Sequence, residues 1–492
     1  MWVSPSAGMM KTAGVGGAIE KAAATLIEHD PKKHAQIIKK EIPTMTAASG
    51  SAHFSSRFAF IMASVGFAVG LGNIWRFPYV TGENGGSAFV LIYLFCAFCI
   101  GVPCLVAELV VGRRGQSSPP ESMAHVAEES GRSRHWRFVG GMGVLTAFAI
   151  AITYAVVVGW VLSYLSKAAM TGFVGVDAGT SSQAFDALLA NSGGMLFWTL
   201  LGNLIVGTII FSGVKGGIER AVTVMMPLMF ALLIGLSIHN AFAGGFVETL
   251  EWLFTPDFSK VGPDTLLAAV GQAFFSLGVA MGGMMTYGAY LPKGFSITRA
   301  AVIVVLADTL VALLAGFVVF PAVFHHGLDI ASGAGLIFKT LPVAFAQMPG
   351  GHVFATLFFI MLAVAGITSM VGLLESVTAW VSERFALHRH LSSAAVVAAV
   401  TFCSVASVLS YGVWSDYTVA GFNFNDVAFA IPDKVLLPAG GLLIATFAGW
   451  FMLREHSEDE LGTTPFVYSL WRQLVRYVAV PAIAFILISG LI

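Results

Sequence analysis

The chain has 492 residues, of which 57% are hydrophobic and 11% charged, with a formal net charge of −1. Soluble proteins of this length carry about a quarter charged residues, so the composition excludes an ordinary water-soluble protein and identifies a polytopic membrane protein; the neutral balance gives no basis for nucleic-acid binding. Cys96, Cys99, Cys104 and Cys403 all fall in apolar segments, where inert packing is expected and a disulfide framework is not.

In chain order, residues 1–53 form a tail rich in lysine (Lys11, Lys21, Lys32, Lys33, Lys39 and Lys40). No basic region followed by an apolar run and a cleavage site is present there, so no cleavable signal peptide is expected. Residues 17–40 admit several readings: a basic amphipathic helix broken at Pro31 and lying on the anionic inner leaflet, a disordered tail, or a start codon assigned too far upstream. A membrane helix needs about 20 apolar residues. That window gives eleven spans, near 57–80, 86–112, 137–167, 195–213, 218–239, 266–292, 298–324, 351–385, 393–410, 435–453 and 474–492. The segment 331–349 is apolar but too short to span, and reads as an external re-entrant or interfacial hairpin.

Basic residues set the orientation. They recur after the even-numbered spans, as Arg113 with Arg114, Lys215 with Arg220, Lys293 with Arg299, Arg384 with Arg389, and Arg454 with Arg472. The odd-numbered loops are acidic or poor in charge. The N-terminus is therefore expected in the cytoplasm of a multi-pass protein of the plasma (inner) membrane, and the C-terminus outside if eleven helices cross.

The first span carries Gly70, Gly72 and Asn73 in its middle, and the sixth carries Gly278, Gly282 and Gly283. Glycine favours leaving the helix. Irregular backbone at membrane depth is tolerated only where protein buries it or where it lines a cavity. Either cluster alone equally serves close helix packing. Five spans in each half make the halves opposite in topology, and paired breaks at matching positions of inverted halves point to a transport site at the bilayer midplane. The chemistry at such a site is set by half-helix ends. N–H groups at one suit a carboxylate and carbonyls at the other suit a cation. Asn73, Ser276, Asp308, Thr368 and Ser369 add hard oxygen donors of the kind that fits Na⁺. Asp308 lies in an apolar run without a basic neighbour, so it is a functional residue by default; a buried structural hydrogen bond is its alternative. The His325–His326 pair lacks further ligands for a metal.

The runs GFAVGLGNIWRFP, ENGGSAF, GVKGGIER, GQAFFSLG and AGITS resemble the neurotransmitter:sodium symporter family, in particular its bacterial, LeuT-like amino-acid transporters, over roughly residues 54–453. The resemblance implies an all-α membrane protein with a LeuT-like 5+5 inverted repeat and broken first and sixth helices. On that reading residues 54–240 are the first repeat, 241–453 the second, and 454–492 a loop with the eleventh helix. It implies a sodium-coupled symporter of an α-amino acid, with no organic cofactor, no enzymatic activity, and membrane lipid as its surroundings. One sodium would sit among the Ala68 carbonyl, Asn73, Ser276, Asp308 and the substrate carboxylate. A second would sit among the Gly66 and Val69 carbonyls, Ala365, Thr368 and Ser369. The carboxylate would meet the Leu71–Gly72 backbone and the Tyr154 hydroxyl. Ile150, Tyr154, Phe275, Gly278, Met281, Ser369 and Leu373 would line the pocket. Arg76 would belong to the external gate, Glu383 and Tyr290 to the internal one. Gly217 and Pro227 would mark a helix end that unwinds to release sodium.

Three side chains sharpen the expectation. Gly70 stands where monoamine-transporting relatives carry aspartate, so the substrate should bring its own carboxylate. Asp308 stands where chloride-dependent relatives have asparagine, beside their chloride site of Tyr93, Gln272 and Ser276, which predicts chloride independence. Gly278 and Met281 with Ile150 and Leu373 suit a hydrophobic or aromatic side chain. The sequence also departs from the family. Ser51 replaces the arginine of the internal gate, leaving Arg57 or a tail lysine to pair with Glu383, and Phe54 replaces a common tryptophan. The acidic partner of Arg76 is either Asp426 or Asp433. A proton-coupled transporter working through Asp308 and a non-transporting amino-acid sensor are the rival readings.

Overall fold

The computed structural model describes residues 53–327, 335–418 and 421–489. The tail at 1–52 and part of the 331–349 segment lie outside the described residues. Nine helices among those described are long and apolar enough to cross a membrane, and the pair Arg57–Ala68 and Gly72–Glu83 forms one further span bent by 47°. The sixth span is likewise two pieces, Pro263–Leu277 and Gly283–Ala289. The remaining part of the short apolar segment is a helix, Leu336–Gln347. Its Lys339 pairs with Asp186 of the helix Ala178–Ala190 at 2.9 Å.

Two span boundaries differ from the hydropathy reading. The tenth helix runs Phe424–Phe451 and the eleventh Pro465–Ser489, each starting about nine or more residues before the apolar run. The reason is the same in both. Asp433 is taken up by Arg76, while Arg472 and Arg476 donate to the Gly449 carbonyl at 3.2 and 2.6 Å. Polar residues with partners inside the protein do not end a membrane helix, although they end an apolar window.

Burial orders the bundle. The apolar window of the eighth span is 89% buried and that of the third 78%, against 17% for the eleventh. The third and eighth spans are therefore the inner wall on which the broken helices rest. Close approach there depends on absent side chains. The ring of Phe67 sits in a cup where a Cβ on Gly278, Gly283 or Gly372 would come within 2.6, 2.4 or 2.2 Å of it. Gly112 of the second span lies against the backbone of the sixth, where a Cβ would stand 1.9 Å from the Met285 carbonyl oxygen. The obstacle is main chain, which has no rotamer to move aside. Gly112→Ala is expected to destabilise the fold by about 1–3 kcal/mol, measured as a lower thermal midpoint in detergent; an unchanged midpoint would show that the two spans separate freely.

Candidate functional site

The first break begins where Val69 turns to an extended conformation (φ −74°, ψ 105°) after Ala68. Asn73 repairs it. Its Oδ1 accepts from the Gly70 N–H at 3.0 Å, and its Nδ2 donates to Ser276 Oγ at 2.9 Å and Asp308 Oδ1 at 2.7 Å. Ser276 Oγ lies 2.9 and 2.8 Å from the two Asp308 oxygens, and the Tyr93 hydroxyl donates to Asp308 Oδ2 at 3.2 Å. Gln272 Nε2 donates to the Gly72 carbonyl at 2.9 Å, joining the two breaks. Asn73, Ser276 and Asp308 thus converge, fully buried, next to the C-terminal end of Arg57–Ala68.

The second break has left-handed backbone at Gly278, Ala280 and Gly282, with φ of 64°, 65° and 70°. Alanine rarely adopts that conformation. Glu108 of the second span holds it in place by accepting from the Ala280 N–H.

A second oxygen cluster lies across the first break. Ser369 Oγ donates toward the Gly66 and Val69 carbonyls at 3.3 and 3.2 Å. Thr368 Oγ1 bonds back to Val364 and Ala365 of its own helix at 3.0 and 3.1 Å. A Cβ on Gly66 would lie 3.3 Å from that of Thr368, so the five residues expected here do face one another. Gly217 lies in a wide π turn, Val214–Glu219, and Pro227 inside the helix that follows.

Between the clusters is a cavity of about 20 Å³ lined by Ala68, Gly72, Ile150, Tyr154, Phe275, Gly278, Met281, Ser369 and Leu373, with Phe67 and Gly70 in addition. That holds about one water. Two expected residues stand back from it. The Leu71 N–H donates to the Tyr154 hydroxyl at 3.0 Å, and Ser276 faces Asp308. A Cβ on Gly70 would come 2.3 Å from Ser369 Oγ and 2.7 Å from the Tyr154 hydroxyl, so any side chain there would have to displace both hydroxyls.

Both exits are closed. On one side Arg76 Nη1 and Nη2 meet Asp433 Oδ1 and Oδ2 at 2.9 and 3.1 Å, and the guanidinium lies 4.5 Å above the Phe275 ring. Asp433 is therefore the partner, and Asp426 instead closes a capping box with Asn423. On the other side the Tyr290 hydroxyl donates to Glu375 at 2.7 Å, and Arg389 binds the same carboxylate through two nitrogens at 2.9 and 2.6 Å. Glu383, expected here, accepts from the Ser118 N–H at 2.8 Å. Arg57 lies over the Phe295 ring. Phe54 packs edge-on against Phe60, Tyr287 and Tyr290, and neighbouring Ser55 donates to Glu219 of the π turn. Glu375 and Arg389 were legible only as a rare intramembrane acid and a basic helix start.

A sequence profile of the sodium:neurotransmitter symporter family matches residues 51–175 and 185–492. The chain belongs to that family. It is 34% identical to the uncharacterised sodium-dependent transporter YhdH of Bacillus subtilis, covering 89% of this chain and 97% of the relative. An uncharacterised sodium-dependent transporter of Haemophilus influenzae is 32% identical over 89% and 98%. The crystal structure of MhsT in complex with L-phenylalanine superposes with a TM-score of 0.83 at 39% identity, over 89% of this chain and 99% of that one. The protein is accordingly a LeuT-like, polytopic, sodium-dependent transporter and not an enzyme.

The Glu375–Arg389 pair yields a stability prediction. The Glu375 side chain is 0% exposed, and a buried charge stripped of its partner costs roughly 3–5 kcal/mol. Arg389→Gln should therefore unfold at distinctly lower temperature, and the double variant Glu375→Gln/Arg389→Gln should recover most of the loss. A double variant destabilised by the sum of the two single losses would mean the pair is not coupled.

Proposed function

We propose that this transporter imports a hydrophobic or aromatic α-amino acid with sodium, independently of chloride, by alternating access. The observation that carries the reading is the crowding at Gly70. Gly70 presents no side chain between Ser369 and Tyr154, so an amine substrate finds no carboxylate there and must carry its own. A substrate carboxylate would take the Gly72 N–H, which heads a helix, and the proton of the Tyr154 hydroxyl, whose oxygen accepts from the Leu71 N–H. It would also complete a sodium site with the Ala68 carbonyl, Asn73, Ser276 and Asp308, which couples the two ligands. A second sodium would lie among Gly66, Val69, Ala365, Thr368 and Ser369 once the two hydroxyls turn their protons away from the carbonyls. Apolar Ile150, Leu373, Met281 and Phe67 around the cavity favour an apolar side chain, in keeping with the phenylalanine held by MhsT. The repeats 54–240 and 241–453 would rock about this site, with Arg76–Asp433 opening outward, Tyr290–Glu375–Arg389 opening inward, and the N-terminus in the cytoplasm. Unwinding between Gly217 and Pro227 would release the second sodium.

The test is uptake of a labelled amino-acid panel into proteoliposomes under an inward sodium gradient, with potassium as control. Concentrative uptake of apolar amino acids with sodium alone is expected. Uptake driven by a pH gradient without sodium would instead favour proton coupling through Asp308, and binding without counterflow would favour a sensor.

Asp308 accepts from Asn73 and Tyr93 and lies against Ser276. Hydrogen bonds to a charged group are worth about 1.5–3 kcal/mol, so Asp308→Asn should weaken sodium-driven uptake about tenfold or more. Added chloride should restore part of it, since an anion would then replace the lost charge. Wild-type uptake by this variant would remove Asp308 from the sodium site.

A further inference from the structure

An apolar groove of about 410 Å³ opens on the outside of the bundle between the third, eighth and ninth spans, away from the transport cavity. Gly141 and Phe148 form one wall, Val377, Trp380 and Val381 the second, and Ala399 belongs to the third. Its depth follows from the chain. The third span starts at Arg137, the eighth ends at Arg384 and the ninth starts at Arg389, so the groove occupies the ends of three helices that share one basic side. The groove is open beside Gly141, where a Cβ would meet nothing within 4 Å. Helical register then places a cation at the mouth. Val377, Trp380, Val381 and Arg384 fall at i, i+3, i+4 and i+7, on one face. Arg384 is exposed, and its one contact among the described residues is with the ring of its neighbour Phe385 at 5.9 Å. The nearby acids are engaged elsewhere: Glu383 with the Ser118 N–H, Glu121 with Arg134 and Arg137, Glu375 with Arg389.

We propose that this groove is a binding site for one anionic phospholipid, with an acyl chain along Gly141 and Ala399 and the phosphate on Arg384. The occupant follows from the juxtaposition: an apolar trough capped by a cation that has no ion pair among the described residues and flanked by Trp380, an aromatic residue of the kind that sits at headgroup level. The leaflet assigned to this side is the anionic cytoplasmic one, an assignment that rests on the orientation proposed above; the binding site itself does not.

The experiment uses the full-length protein in detergent micelles, where orientation plays no part. Native mass spectrometry counts retained phosphatidylglycerol against phosphatidylcholine of the same chains, and thermal unfolding is followed with each. One retained phosphatidylglycerol per chain is expected, preferred about fivefold, as one cation near an anionic headgroup confers, together with a higher unfolding temperature. Arg384→Gln should bind both lipids equally. Gly141→Leu projects an apolar side chain into the groove from a position where a Cβ meets nothing within 4 Å, and should lose both while unfolding normally in detergent alone. Equal retention of the two lipids by the unaltered protein, or undiminished phosphatidylglycerol binding by Gly141→Leu, overturns the proposal.

Discussion

The rest of this structure depends on one constraint: main-chain polar groups released from a helix inside a membrane must find partners within the protein. The chain releases them twice, after Ala68 and after Leu277, and the residues that answer lie beside the proposed site. Asn73 takes up the Gly70 N–H, Gln272 the Gly72 carbonyl, and Glu108 the Ala280 N–H. These three side chains come from the first, sixth and second spans, so the breaks are supported by one another and by a helix that is itself unbroken. Removing any one of them leaves a backbone group without that partner in the protein interior, beside the proposed site.

Closure at both ends follows from a similar balance. A buried ion pair gains in attraction little more than it loses in desolvation. Arg76–Asp433 and Arg389–Glu375 are both largely withdrawn from water, and each has an aromatic partner, Phe275 for the first and Tyr290 for the second. As the gates proposed above, pairs of this composition would exchange protein contacts for water contacts at small net cost, as alternation between two open sides requires. Large closing surfaces of apolar contact would favour one state too strongly. The Phe67 ring in its cup of three glycines gives the broken first span a tight but side-chain-free bearing against the sixth and eighth.

Much of this was legible in the sequence because glycine and charge are rare signals in an apolar chain. Gly70, Gly72, Gly278 and Asp308 stand out without any structure, and their meaning at membrane depth is fixed by solvation physics. The cavity lining was carried by family resemblance, and apart from Leu71 and Ser276 the expected residues do line it. What stayed hidden depends on pairing across long sequence separations. Asp433 was indistinguishable from Asp426 until the helix beginning at Phe424 placed one toward Arg76 and left the other at a cap. Glu375 and Glu383 are eight residues apart on one helix, and only the position of Arg389 and Ser118 decides which carboxylate meets Tyr290. The early starts of the tenth and eleventh helices were invisible for the same reason, since hydropathy counts Asp433 and Arg472 as solvated when each has a partner.

The arrangement of half-helix ends explains why an amino acid and sodium suit the proposed site together. Arg57–Ala68 and Pro263–Leu277 both terminate at the cavity, so their carbonyl ends bring partial negative charge to it, while Gly72–Glu83 begins there and brings partial positive charge. A zwitterion answers both, its ammonium on the carbonyl ends and its carboxylate on the N–H end. That leaves Asp308 as the one full charge among Asn73, Ser276 and the helix ends. Without a cation it would repel the substrate carboxylate across a low-dielectric gap, where like charges cost far more than in water. Sodium between the two reverses the sign of that interaction. On this reading the carboxylate in the seventh span does more than bind an ion: it makes substrate binding without sodium unfavourable, which is what ties the two movements into one.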